Sequence, residues 1–426
     1  MDKPFNFFDV GQFMLFRADE SYTKHALDFT DHVVKNCPGR GTGTEALLKS
    51  THMIKNEYAE YCGKENVEIE EFDCHPRSFF GYFGYMALIY IVSAFLIYFN
   101  ILIPALLAMI AGAFTIVTQF IYYRQYIDFL FPKAKGYNII GTIKPLKETK
   151  QRIIVSGHHD AGKISHYIDK CPRLYQFIVA GGIGTCAIGL IVLIVYSIGE
   201  YAGVWSPEFQ NTIKILWFLG IPLVLPFFRF TRYEFSPGAG DNLIAVAIAG
   251  EVARIITDER QSGNEMLQHT ELKIISFDAE EAGVRGSRDY CEKHEEQLKS
   301  TKTYVFNMDS IFYANEFHFF SSDLNGLVKC SEKMARECTE IAHELGYPAS
   351  VQKFPFGGGA TDSASFGEIN VETTNLIAMK ATGGGIDNNT HYHTPRDTID
   401  VIEPDAVKRS IDVIVNYVIK KEEQVR

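Results

Sequence analysis

The stretch Leu272-Lys-Ile-Ile-Ser-Phe-Asp-Ala-Glu-Glu-Ala-Gly-Val-Arg-Gly-Ser287 joins a short apolar run to an acidic cluster and two glycines. Such a run, bounded by turn residues, reads as a buried strand. The acidic cluster falls just past its carboxyl end, where open α/β sheets place their functional groups. The pattern recurs twice. Arg152-Ile-Ile-Val-Ser156 runs into Gly157-His-His-Asp160, and Tyr304-Val-Phe-Asn307 into Met308-Asp309. Around these strands the periods alternate. Val67–Phe72, residues 137–156 and Asn375–Ala378 read as strands. Asp241–Ile256 has apolar residues at helical spacing (Leu243, Ile244, Ala247, Ile248, Val252, Ile255), and Gly326–Leu345 and Pro404–Ile419 read as helices. The expected fold is α/β, a mixed and mainly parallel central sheet with helices on both faces.

The 426 residues are 46% hydrophobic and 22% charged, ordinary globular averages that exclude disorder and a disulfide-dense miniprotein. A formal charge of −11 argues against nucleic acid as a partner. The averages hide segregation. Ser78 to Tyr123 is 46 residues without a single Asp, Glu, Lys or Arg, and Leu174 to Gly199 is 26 more. A membrane helix needs about 20 apolar residues, so the first run is two spans long, turning near Asn100. The second is one span. Ile215–Phe228, with Pro222 and Pro226, is a weaker fourth. Met1–Asp9 lacks the basic and apolar regions of a signal peptide. The eight cysteines form no CxxC pair, and free thiols in a reducing compartment are expected.

The groups past the strand ends have a common chemistry. Gly157–Asp160, Asp241 after Pro237-Gly-Ala-Gly240, Asp278–Glu281, Asp309 and His391-Tyr-His393 each offer a metal ligand. Two histidines and three carboxylates suit a pair of zinc ions. Two Zn²⁺ bring four positive charges, which three carboxylates and a hydroxide neutralise, making burial tolerable. Glu280 and Glu281 can divide the work, one as ligand and one as general base. His158 and Asp160, two apart, share a face of an extended strand end, so Asp160 can orient His158. Taken singly, each has a plainer reading: Asp241 as a helix cap, Asp309 as a turn residue, Glu280-Glu281 as a solvated helix start.

Together, Gly157–Asp160, Gly240-Asp-Asn242, Phe277–Ser287, Asn307–Asp309 and Tyr392-His-Thr-Pro-Arg-Asp-Thr398 resemble the motifs of the co-catalytic two-zinc exopeptidases. That family includes leucyl-type aminopeptidases, glutamate carboxypeptidases and glutaminyl cyclases. The resemblance covers residues 137–170 and 232–420. It implies that Asp241 bridges two zinc ions. His158 and Asp309 would complete one site, Glu281 and His393 the other. Glu280 would be the general base and Asp160 the orienting carboxylate. His393, rather than His391, precedes Thr-Pro-x-Asp-Thr. Ala360-Thr-Asp362-Ser-Ala-Ser-Phe366 is similar to a loop near the family's substrate, which implies substrate-side roles for Asp362 and Phe366.

The chain departs from that pattern in two places: the first apolar run interrupts the region between the N-terminal helices and the sheet, and the second splits the ligands. Asp160 and Asp241 are normally close in sequence and here lie about 80 positions apart, with the second apolar run between them. If His158 and Asp241 serve one metal pair, the insert must cross a membrane an even number of times, and residues 211–230 then complete a span. The expected organisation is 1–77, helical and part of the zinc domain; 78–123, a membrane hairpin; 124–173, with His158 and Asp160; 174–230, a second hairpin; and 231–426, the rest of the zinc domain. Arg77, Arg124, Lys133, Lys135, Arg173, Arg229 and Arg232 flank the enzyme side, which places the zinc domain in the cytoplasm. The expected function is a membrane-anchored zinc hydrolase, foremost an aminopeptidase acting on short peptides. Carboxypeptidase, amidohydrolase or glutaminyl cyclase chemistry is the runner-up, and a non-catalytic receptor the third reading.

Overall fold

The computed structural model describes residues 15–380 and 391–426. The expectation for Met1–Asp9 lies outside the described residues, as does Thr390. Eight strands form one sheet: β1 (Val67–Cys74), β2 (Ala134–Ile143), β3 (Gln151–His158), β4 (Thr270–Phe277), β5 (Lys302–Ile311), β6 (Phe317–Phe320), β7 (Ala349–Gln352) and β8 (Glu372–Ala378). Their order is β1-β2-β4-β3-β5-β8-β6-β7. The central run β4-β3-β5-β8 is parallel throughout. The edge pairs β1/β2, β2/β4 and β8/β6 are antiparallel.

The pleat explains why β3 is apolar on both sides. Ile153 and Val155 enter one core and Ile154 the other. The first core holds apolar residues of helices Glu20–Asn36, Glu45–Cys62, Ile244–Gln261, Glu332–Glu344 and Pro404–Glu423. Arg285–Ser300 and Ser363–Glu368 cover the opposite face. Because β4, β3 and β5 are adjacent and parallel, their carboxyl ends bring Asp278–Glu281, His158 and Asp309 to one edge.

Among the described residues four helices are long and apolar enough to cross a membrane: Ser78–Tyr98, Leu102–Ile121, Pro172–Tyr201 and Pro207–Arg229. They share a core of their own, in which Phe83 stacks on Phe230 at 4.2 Å and Tyr90 on Trp217 at 5.3 Å. A Cβ at Gly220 would stand 2.1 Å from the Tyr90 hydroxyl, so only glycine admits that ring. The outward faces expose Phe95, Leu107, Ile188, Ile191, Ile198 and Leu219. An apolar surface of this extent marks a site of contact with a membrane or another protein.

Two helices begin later than their sequence pattern predicts. Residues 326–331 are not helical; the helix starts at Glu332, capped by Ser331. Leu324, Asn325 and Gly326 all have positive φ, which a right-handed helix cannot accommodate. Asp241 does not cap a helix: it is non-helical (φ −121°, ψ 84°), and the regular α-helix begins at Ile244.

Candidate metal centre

His158 ends β3 and is 1% exposed. Its Nε2 lies 3.4 Å from Asp241 Oδ1 and 3.8 Å from Glu280 Oε2, while its Nδ1 is 3.3 Å from Asp160 Oδ1. On the other side of Asp241, His393 Nε2 stands 3.3 Å from Oδ2 and 2.8 Å from Glu281 Oε1. Asp241 therefore faces a histidine with each carboxylate oxygen. Ligand atoms of His158, Asp241 and Glu281 lie within 4.8 Å of one another. Asp309 sits at the end of β5, its Oδ1 accepting from the Ser310 hydroxyl at 2.8 Å.

These donors fit zinc on a structural test. His158 Nε2 and Asp241 Oδ2 are buried and have no well-aligned hydrogen-bond partner among the described residues. Orphaned polar atoms at such depth are costly unless something binds them, and a cation between them would satisfy both. The electrostatics carry the same strain. Burial, with the Asp241 charge added, pushes the Asp309 carboxyl up to about 8. Burial also raises Glu280 well above and Glu281 above the usual carboxylate range, the two histidines only partly offsetting it. Burial opposes charge on His393, yet Glu281 and Asp241 push it up to about 10. Converging carboxylates of this kind call for added positive charge.

The other sequence-selected residues fall around this group. Asp160 accepts backbone N–H bonds from Glu280 and Glu281, both at 3.2 Å, so it aims the two glutamates as well as meeting His158. His159 points elsewhere. It lies 3.2 Å from Thr51 Oγ1 and 2.8 Å from Ser276 Oγ, and burial drops it to about 3, a neutral core histidine. His391 packs 6.4 Å from Phe312. Asp362 is fully buried, close enough for the His158 charge to act on it. Phe366 is placed differently. It is wholly buried, with Phe277 6.1 Å and Tyr290 6.2 Å away, a core position with no open face.

Three positioning residues were not read from the sequence. Asp397 accepts from the N–H of Gly240 at 2.7 Å and of Asp241 at 3.2 Å, which explains the irregular backbone there. Asp278 accepts from the Thr42 hydroxyl (2.7 Å) and Tyr137 N (2.9 Å). Arg40, 1% exposed, donates to His159 O, Pro237 O and Gly238 O at 3.1, 2.9 and 2.8 Å. It grips the chain just before and just after the second apolar hairpin. Asp397 stood inside a quoted motif; Arg40, in a glycine-rich turn, carried no chemical signal. A further cluster, His25, Glu57 and Glu251, already has Arg254 3.4 Å from Glu251 to balance its charge.

Residues 229–418 match peptidase family M28. The match begins where the second hairpin ends, so His158 lies outside it. Aminopeptidase YwaD of Bacillus subtilis is 25% identical over 202 residues, 46% of this chain and 41% of that protein. The chain thus spans about two fifths of that relative's length. Among solved structures, a zinc aminopeptidase from B. subtilis superposes with a TM-score of 0.55 at 15% identity, covering 94% of this chain and 95% of that one. A glutaminyl cyclase from Bacteroides thetaiotaomicron gives 0.55 at 13% identity, covering 95% and 99%. These likenesses establish the fold. Over residues 229–418 the chain is similar to peptidase family M28, and its fold is that of the zinc exopeptidase structures.

Proposed function

We propose that the protein is a membrane-embedded di-zinc hydrolase that cleaves peptide bonds, foremost as an aminopeptidase. The observation that carries this reading is the pair of orphaned atoms, His158 Nε2 and Asp241 Oδ2, with His393 and Glu281 beside them and the Asp309 carboxyl within range of the Asp241 charge. In this reading His158 and Asp309 would hold one zinc ion and Glu281 and His393 the other, with Asp241 serving both. When bound, the zinc pair polarises the scissile carbonyl and acidifies water. Asp160 fixes His158 and the backbone of both glutamates. Glu280, its affinity for protons raised by burial, takes a proton from the attacking water. It then passes that proton to the departing amine, leaving Glu280 ionised for the next cycle. The four apolar helices anchor this site at a bilayer.

The test is hydrolysis of unblocked peptides, N-blocked peptides and an N-terminal glutaminyl peptide by the full-length protein, with and without chelator. Chelator-sensitive release of the first residue is expected, with N-blocked peptides spared. Glu280→Gln should keep its zinc and lose roughly 10²–10⁴-fold in rate. Unchanged turnover in that variant would remove Glu280 from the mechanism. Ring closure of the glutaminyl peptide without hydrolysis would favour cyclase chemistry.

A further inference from the structure

Tyr123 lies outside the matched segment, at the return from the first apolar hairpin to the sheet. It holds a left-handed backbone (φ 51°) and is 5% exposed. Its ring packs 4.7 Å from that of Phe79, the residue at the opposite root of the same hairpin. Both rings belong to a small apolar cluster with Val284, Leu324 and Ala364. Val284 closes the turn that begins at Glu280, its N–H donating to Glu280 O at 2.8 Å. Ala364 follows Asp362 by two positions. The hairpin root is thus wedged between the glutamate turn and the 360–366 loop.

The wedge is held from the zinc domain. Arg285, buried, donates to Tyr123 O at 2.8 Å and pairs with buried Asp128 at 3.2 Å. Asn325 Nδ2 donates to Phe120 O and Ile121 O at 3.0 and 3.1 Å. Loss of either partner of a buried ion pair is strongly destabilising, so this junction is rigid.

The Tyr123 hydroxyl is left without a hydrogen bond among the described residues. It is near Gly359, where a Cβ would stand 3.6 Å from the hydroxyl oxygen. It also feels the charge of Glu280, Asp323 and Glu281. Burial first, and those charges next, keep the phenol protonated, so it is a hydrogen-bond donor at any working pH. A rigid donor within range of the general base's charge, its ring sealed and its hydroxyl without a partner among the described residues, is placed to meet a ligand.

We infer that Tyr123 is a substrate-contacting residue whose hydroxyl donates to a carbonyl oxygen of the bound peptide. The membrane hairpin then supplies one wall of the active site, and the bound peptide lies at the level where the apolar helices end. This role rests on the peptidase reading above.

The test uses the full-length protein in detergent, with a tripeptide and an aminoacyl anilide as substrates. The anilide has the scissile carbonyl and lacks any carbonyl beyond it. Tyr123→Phe keeps the ring and the packing, and should retain bound zinc and the wild-type Tm. Loss of one neutral hydrogen bond predicts about a 3- to 10-fold fall in kcat/KM on the tripeptide. An equal fall on the anilide places the donor at the scissile carbonyl; a fall on the tripeptide alone places it one peptide further. Both support the role. Wild-type rates on both substrates, with zinc intact, would overturn it and leave the peptidase reading standing. A zinc-loaded wild type inert towards every peptide would overturn both.

Discussion

At the residue scale, Asp397 shows how a ligand is aimed by a group that binds nothing itself. Its two oxygens take the N–H groups of Gly240 and Asp241, and burial, with the Asp241 charge added, pushes its own carboxyl up to about 8. Asp397→Ala would free those N–H groups and let Asp241 turn away. Zinc affinity should fall roughly 10- to 100-fold, as for other outer-shell partners, measured by competition with a chelator. An unaltered affinity would show that the Asp241 loop holds its shape alone. The difference between Asp241 read as a cap and Asp241 as found lies in this contact. Residues 156 positions apart cannot be linked by local pattern. His158 and His159 are the opposite case. The His-x-Asp spacing separated them, and the structure sets His158 beside Asp160 and buries His159 between Thr51 and Ser276.

At the element scale, strands β3, β4 and β5 were legible because each is an apolar run that ends in polar groups. β6 and β7, only four residues each, were not. Their pairing comes from neighbours, not from their own period. Three of the apolar helices were legible from missing charge; the weak fourth, which forms Pro207–Arg229, followed only from requiring an even number of crossings between His158 and Asp241. The sidedness we propose, with the zinc domain cytoplasmic, rests on basic residues at the zinc-domain ends and the acidic Glu200 and Glu208 at the far loop. The native cysteines are poor reporters of it, since Cys291 and five others are buried. Single cysteines at exposed Glu208 and Glu296 serve better. With a membrane-impermeant maleimide on intact cells, Glu208→Cys should label and Glu296→Cys should not until lysis. The reverse pattern would put the zinc domain outside.

At the scale of the whole molecule, the chain interrupts a zinc exopeptidase fold twice without separating its parts. Arg40, from the N-terminal helical segment, holds His159 on one side of the second hairpin and Pro237-Gly238 on the other. That grip lets a histidine and an aspartate about 80 positions apart stand 3.4 Å from each other. The first hairpin is joined as firmly, through Arg285, Asp128 and Tyr123. We hold that the halves split by this insertion form one two-metal centre. Elemental analysis of the purified full-length protein tests it most directly. Two zinc ions per chain are expected in the wild type, with a loss of at least one in both His158→Ala and His393→Ala. A wild type with no tightly bound zinc, or a His158→Ala variant that keeps two, would contradict it.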